Sequence, residues 1–61
     1  MKKYLEEQLT AEYGVGGWSE RNCGDGWVEV DVRRPDGEVE VDRVYYDSNG
    51  EITSIEKVIA S

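Results

Sequence analysis

Glu29-Val30-Asp31-Val32-Arg33-Arg34-Pro35-Asp36-Gly37-Glu38-Val39-Glu40-Val41-Asp42 is the stretch on which the fold of this chain turns. Valines alternate with charged residues on both sides of Pro-Asp-Gly, the pattern of two half-buried strands joined by a tight turn. Strand side chains alternate faces, so a sheet that buries the valines is expected to gather Glu29, Asp31, Glu40 and Asp42 on the opposite face. Two turns are compatible with Pro35-Asp36-Gly37. A two-residue turn at Asp36-Gly37 sets Val32 across from Val41, Val28 across from Tyr45 and Asp31 across from Asp42. A three-residue loop suits Pro35 better but sets Val32 against Glu40. Burial favours the valine-on-valine register. Val44 and Tyr46 are then out of phase with Val39 and Val41, which predicts a bulge near Asp42-Arg43.

Working outward, Leu5, Leu9 and Tyr13 recur every four residues, flanked by Tyr4 and Ala11, and predict a helix over 2–13 capped by Gly14. Five of the seven glycines fall within 14–26, a stretch with no period that reads as a loop anchored by Trp18. After the first two strands, Trp27–Arg34 and Glu38–Tyr46, the turn Ser48-Asn49-Gly50 leads into a third, Glu51–Ile59. The imperfect alternation of Ile52, Ile55, Val58 and Ile59 in this strand suggests a bulge, or a strand that covers both faces at one edge. The expected architecture is α+β. It is a single domain over 1–61 in which one helix packs on a three-stranded antiparallel meander, in the order α-β-β-β.

Fourteen acids against seven bases give a formal charge of −7, and there is no histidine. The usual general base, metal ligand and pH switch are therefore missing. The single Cys23 allows no internal disulfide and no zinc site, and with no base to activate it reads as incidental. Asp47-Ser48-Asn49-Gly50-Glu51 superficially resembles a calcium loop, but the glycine falls too early and the turn is too short to wrap an ion. No cofactor and no metal are expected, and a non-enzyme is. The negative charge disfavours direct contact with nucleic acid or anionic lipid. No apolar run is long enough for a membrane span. Met1-Lys2-Lys3 starts like a signal peptide, yet no apolar segment follows, so the expected location is the cytoplasm, or the host cytoplasm if the gene belongs to a phage.

The acidic hairpin is the one pattern that suggests a function. Carboxylates at i and i+2 on a strand lie roughly 6.7 Å apart, close to the step between phosphates along a nucleic-acid strand. Glu29, Asp31, Glu38, Glu40 and Asp42, extended by Asp36 at the turn, are the candidate phosphate surrogates. Trp27 and Tyr46 are the candidate apolar anchors, provided that they share the acidic face. The alternative is a solvated sheet face with Arg33, Arg34, Arg43 and Lys57 as internal counter-charges.

Two resemblances follow from these residues. In its short acidic chain, lone cysteine and rows of carboxylates, the sequence resembles in kind the phage-encoded anti-CRISPR proteins. Several of those imitate DNA and block its entry to a CRISPR effector. That resemblance implies a monomeric inhibitor whose partner is a basic nucleic-acid-binding protein surface, such as a CRISPR effector subunit. The rhythm Trp27–Val32, Glu38–Asp42, Tyr46–Ile52 also looks like that of PepSY-type modules, a helix followed by a meander. It implies a non-enzymatic accessory module that binds protein.

Overall fold

The computed structural model describes residues 2–59. It consists of a helix, α1 (Lys3–Tyr13), and four strands: β1 (Trp18–Gly24), β2 (Trp27–Arg33), β3 (Val39–Tyr46) and β4 (Ile52–Ile59). The strands form one antiparallel sheet in the order β1-β2-β3-β4, and α1 lies across one face. The α+β class is as expected, but the sheet has four strands where three were predicted.

The additional strand, β1, occupies most of the stretch that reads as a glycine-rich loop. Asp25-Gly26 makes a two-residue turn, with Gly26 at φ 82°, and folds β1 back along β2 from Gly24↔Trp27 to Trp18↔Val32. β1 escapes a periodicity reading because it is an edge strand with five exposed residues in succession. An extra residue, Arg21, also shifts its phase halfway along.

The hairpin register differs from the expected one. Val28 lies opposite Val44, Val30 opposite Asp42 and Val32 opposite Glu40. The three-residue loop wins because local backbone chemistry favours it. Pro35 supplies the preset φ, and Gly37, at φ 89°, supplies the left-handed residue of a glycine bulge. The Gly37 N–H donates to Arg34 O at 3.0 Å and the Arg34 N–H to Glu38 O at 2.9 Å. Asp36 Oδ1 accepts the Glu38 N–H at 2.9 Å. The Asp47–Glu51 turn repeats this design, with Gly50 in the left-handed position.

No bulge interrupts β2–β3. Val39 and Val41 are out of phase with Val44 because they point to the uncovered face. The register shifts lie instead between β3 and β4, where Thr53 and Val58 are the extra residues on β4. The expected irregularity of that strand is thus present.

Leu5 and Leu9 sit over Val28, Val30 and Val44, and all five side chains are fully buried. At about 1.5–3 kcal/mol for each buried aliphatic side chain, this small cluster is the main apolar source of stability. Tyr13, Trp18, Tyr46 and Ile52 pack around it. Tyr4 and Ala11, expected beside the apolar stripe, are exposed instead. Gly14 ends α1 as expected, its N–H donating to Thr10 O at 2.7 Å. The Gln8 amide completes the docking. Its Nε2 donates to Gly50 O at 2.7 Å, and its Oε1 accepts the Ile52 N–H at 3.0 Å.

Candidate functional site

The register divides the acidic stripe between the two faces of the sheet. Glu29 and Asp31 stand on the uncovered face with Trp27 and Arg33. Glu40 and Asp42 stand on the helix side, in line with the buried valines. The expected grouping of all four on one surface is therefore incorrect. A one-residue difference in turn length carries every β3 side chain to the other face.

On the helix side Glu40 and Asp42 are each only 8 % exposed. Glu40 lies between two cations, with Arg34 Nη1 at 3.2 Å from Oε1 and Lys57 Nζ at 3.0 Å from Oε2. The Lys57 hydrogen bond is the main cause that holds its carboxyl below the usual value, aided by the charge of Arg34. Asp42 Oδ2 accepts the Tyr13 hydroxyl at 2.8 Å. Its Oδ1 is buried and has no hydrogen-bond partner among the described residues. Burial, then the Asp42 hydrogen bond and charge, push the Tyr13 hydroxyl well above its ordinary pKa. Asp42 thus belongs to the packing of α1 on the sheet, and Glu40 to a buried ion-pair cluster with Arg34 and Lys57.

On the open face Asp31 accepts from Arg21 Nη1 at 3.1 Å. Glu29 Oε2 accepts from Arg43 Nε at 3.1 Å and Nη2 at 2.7 Å. The same guanidinium lies over the Trp27 indole, 5.0 Å from the ring centroid. Hydrogen bonding to Glu29, then to Tyr45, raises the Arg43 pKa further. Trp27 in turn covers Gly24, where a Cβ would run into the indole. Trp27, Arg43, Tyr45 and Glu29 thus form one cluster, of which the sequence reading named Trp27 and Glu29 as contact residues and Arg43 as an internal counter-charge. The cross-strand pair Trp27↔Tyr45 would have identified it, but only in the correct register. Tyr46 lies on the helix side opposite Ile52 and packs on the core, so it does not share a face with Trp27.

Asp36 and Glu38 are exposed at the β2–β3 turn. Among the described residues, Glu6, Glu7, Glu12, Glu20, Asp25, Glu38, Glu51 and Glu56 form no ion pair. The unneutralised charge therefore lies on the outer surface of α1, along β1 and β4, and at the turns. The loop that follows α1 is tied to the end of β2, where the Arg33 N–H donates to Gly17 O at 2.9 Å.

Cys23 is exposed on the rim of a groove of about 140 Å³ whose other walls are Leu5, Glu20, Gly24, Val28 and Tyr46. Among the described residues no group of three or more His, Cys, Asp or Glu side chains is placed to hold a metal ion. No described helix is long and apolar enough to cross a membrane. Neither the protein-family models, the characterised proteins nor the solved structures contain a match to this chain.

Proposed function

We propose that this domain is a non-enzymatic inhibitor that binds the basic, nucleic-acid-binding surface of a partner protein, in the manner of the anti-CRISPR proteins it resembles in kind. The observation that supports this reading is where the excess negative charge lies. The acids of the hairpin stripe are largely consumed by internal arginines, lysine and Tyr13. The acids of α1 and of the β2–β3 turn are left to face a partner. The contact surface is therefore Glu6, Glu7 and Glu12 with Asp36 and Glu38, rather than the original stripe. Such a surface attracts a cationic groove and competes with the phosphates that normally fill it.

A second reading, an accessory module of the PepSY kind, is favoured by the uncovered sheet face. The Trp27-Arg43-Tyr45 cluster there has the composition of a protein-contact hot spot. DNA-binding assays on purified CRISPR effectors separate the two readings. Under the inhibitor reading the wild-type domain displaces DNA, the effect weakens with salt, and Glu6→Lys with Glu7→Lys and Glu12→Lys abolishes it. If the wild-type domain leaves DNA binding by the effectors unchanged, the inhibitor reading fails and the second reading stands; if the triple variant inhibits as well as wild type, the inhibitory surface is not the one named here.

A further inference from the structure

We propose that Asn49 is a site of spontaneous deamidation, and that α1 holds it shut. Asn49-Gly50 is the only Asn-Gly pair in the sequence. Because glycine has no Cβ, its backbone nitrogen can approach the preceding side-chain carbonyl closely, which makes this pair a labile setting for a residue type already prone to the reaction. The Gly50 nitrogen gives up its proton and bonds to Asn49 Cγ, the Cγ–Nδ2 bond breaks, and the amide nitrogen leaves as ammonia. The product is a five-membered succinimide. Water then opens that ring at one of its two carbonyls, leaving either aspartate or isoaspartate. Water is the sole co-reactant, and nothing is oxidised or reduced.

The fold leaves the amide free and restrains its attacker. Asn49 is exposed, and its side chain has no hydrogen-bond partner among the described residues. Gly50 is buried. Its N–H donates to Asp47 O at 2.9 Å, and its carbonyl accepts Gln8 Nε2 at 2.7 Å. Lys2 and Tyr4 close over it, so that a Cβ at Gly50 would lie 3.5 Å from Lys2 Cδ and 3.8 Å from Tyr4 Cδ2. Lys2 Nζ also donates to Ser48 O at 3.2 Å. Ring closure takes the proton from the Gly50 N–H and draws its nitrogen toward Cγ. That breaks the bond to Asp47 and pulls the Gly50 carbonyl away from Gln8, so the reaction waits for α1 to open. Isoaspartate then adds a methylene to the main chain, and the Gly50 carbonyl and Ile52 N–H lose the spacing that one Gln8 amide bridges. An opening of α1 becomes permanent, and the chain gains a carboxylate. The β2–β3 turn is the internal contrast. It has the same backbone design, with the Gly37 N–H donating to Arg34 O at 3.0 Å, yet nothing lies within 4 Å of where a Cβ at Gly37 would be. This inference does not depend on the inhibitor reading.

Peptide mapping by mass spectrometry, after incubation in mildly alkaline buffer, reads the conversion at each position. In the native wild type Asn49 should persist, and in urea it should convert quickly to aspartate and isoaspartate. Gln8→Ala removes two hydrogen bonds from the clamp and should speed the native reaction about tenfold or more, with the circular dichroism unchanged. Asp36→Asn places an Asn-Gly pair in the uncovered turn of the same molecule, and that pair should convert faster under native conditions than Asn49 does. The Glu38 N–H, which donates to Asp36 Oδ1 at 2.9 Å, restrains the side chain there, so faster conversion comes from the missing cover. This arm decides the matter even if Gln8→Ala fails to fold. An Asn49 that is stable in urea, or that converts as fast in the folded wild type as in urea, would overturn the proposal. So would a folded Gln8→Ala that converts no faster than wild type, or equal protection of the two positions in the Asp36→Asn protein.

Discussion

The Tyr13 hydroxyl donates to Asp42 Oδ2 across 2.8 Å and so joins the last residue of α1 to the middle of β3. This contact is the sole hydrogen bond to a buried carboxylate whose second oxygen has no partner among the described residues. Tyr13→Phe keeps the ring and removes the donor. The expected loss is about 1–3 kcal/mol, the cost of leaving a buried polar group unsatisfied, read as a lower urea midpoint with an unchanged slope.

The same contact predicts an alkaline dependence. The folded-state pKa of Tyr13 lies above its ordinary value of 10.0. The stabilising contribution is therefore complete below pH 10 and is lost as the pH rises through the folded value, because tyrosinate would face the Asp42 carboxylate. Wild type should lose stability above pH 10 more steeply than Tyr13→Phe. Equal slopes for the two proteins would show that Tyr13 titrates as it does in the unfolded chain.

Glu40 has the opposite sign. Its folded pKa is lowered by Lys57 and Arg34, so its contribution is present above the unfolded value of about 4.5 and disappears as the pH falls through the folded one. Acid unfolding of Glu40→Gln, followed by tryptophan fluorescence, should show a shallower loss of stability below pH 4.5 than wild type.

Charge reversal should sort the acids by burial. Glu40→Lys with Asp42→Lys places two ammonium groups in positions that are 8 % exposed, beside Lys57 and Arg34, and should unfold the domain. Glu6→Lys with Glu7→Lys, on the exposed surface of α1, should leave the circular dichroism and thermal midpoint close to wild type. Retention of the fold by the first pair would contradict the register described above.

Leu9→Ala should cost about 2–5 kcal/mol, since it empties the centre of the only apolar cluster that α1 shares with the sheet among the described residues. Gly24→Ala should lift the Trp27 indole off the strand and away from Arg43. In a Trp18→Phe background that displacement should appear as a red shift of the remaining tryptophan emission.

The sequence disclosed those features that depend on local chemistry. Leu5, Leu9 and Tyr13 mark the buried side of α1, and Gly14, Gly37 and Gly50 mark the turns that end elements. It hid β1 because an edge strand with little burial leaves no alternation to read, although Asp25-Gly26 is a hairpin signal in plain view. It misplaced the acids because the register was chosen by weighing burial over turn geometry. That choice assumed that Glu40 and Asp42 could not lie among the valines. Arg34, Lys57 and Tyr13, none of which is close to its acid in a way the alternation reveals, make that placement tolerable. The Arg43–Trp27 stack was illegible for the same reason, since it exists in one register only.

Gln8 sets the order in which the domain can be finished. Its amide waits for a carbonyl at Gly50 and an N–H at Ile52, partners 42 and 44 residues further along the chain. A nascent α1 leaving the ribosome can meet the valines of β2 early, but its docking is complete only when Ile52, 44 residues beyond Gln8, has followed it. Too short to persist as an isolated helix in water, it must be largely unstructured in the interval. Folding is then a late, collective event, and a fragment that stops before Ile52 should behave as an unfolded chain.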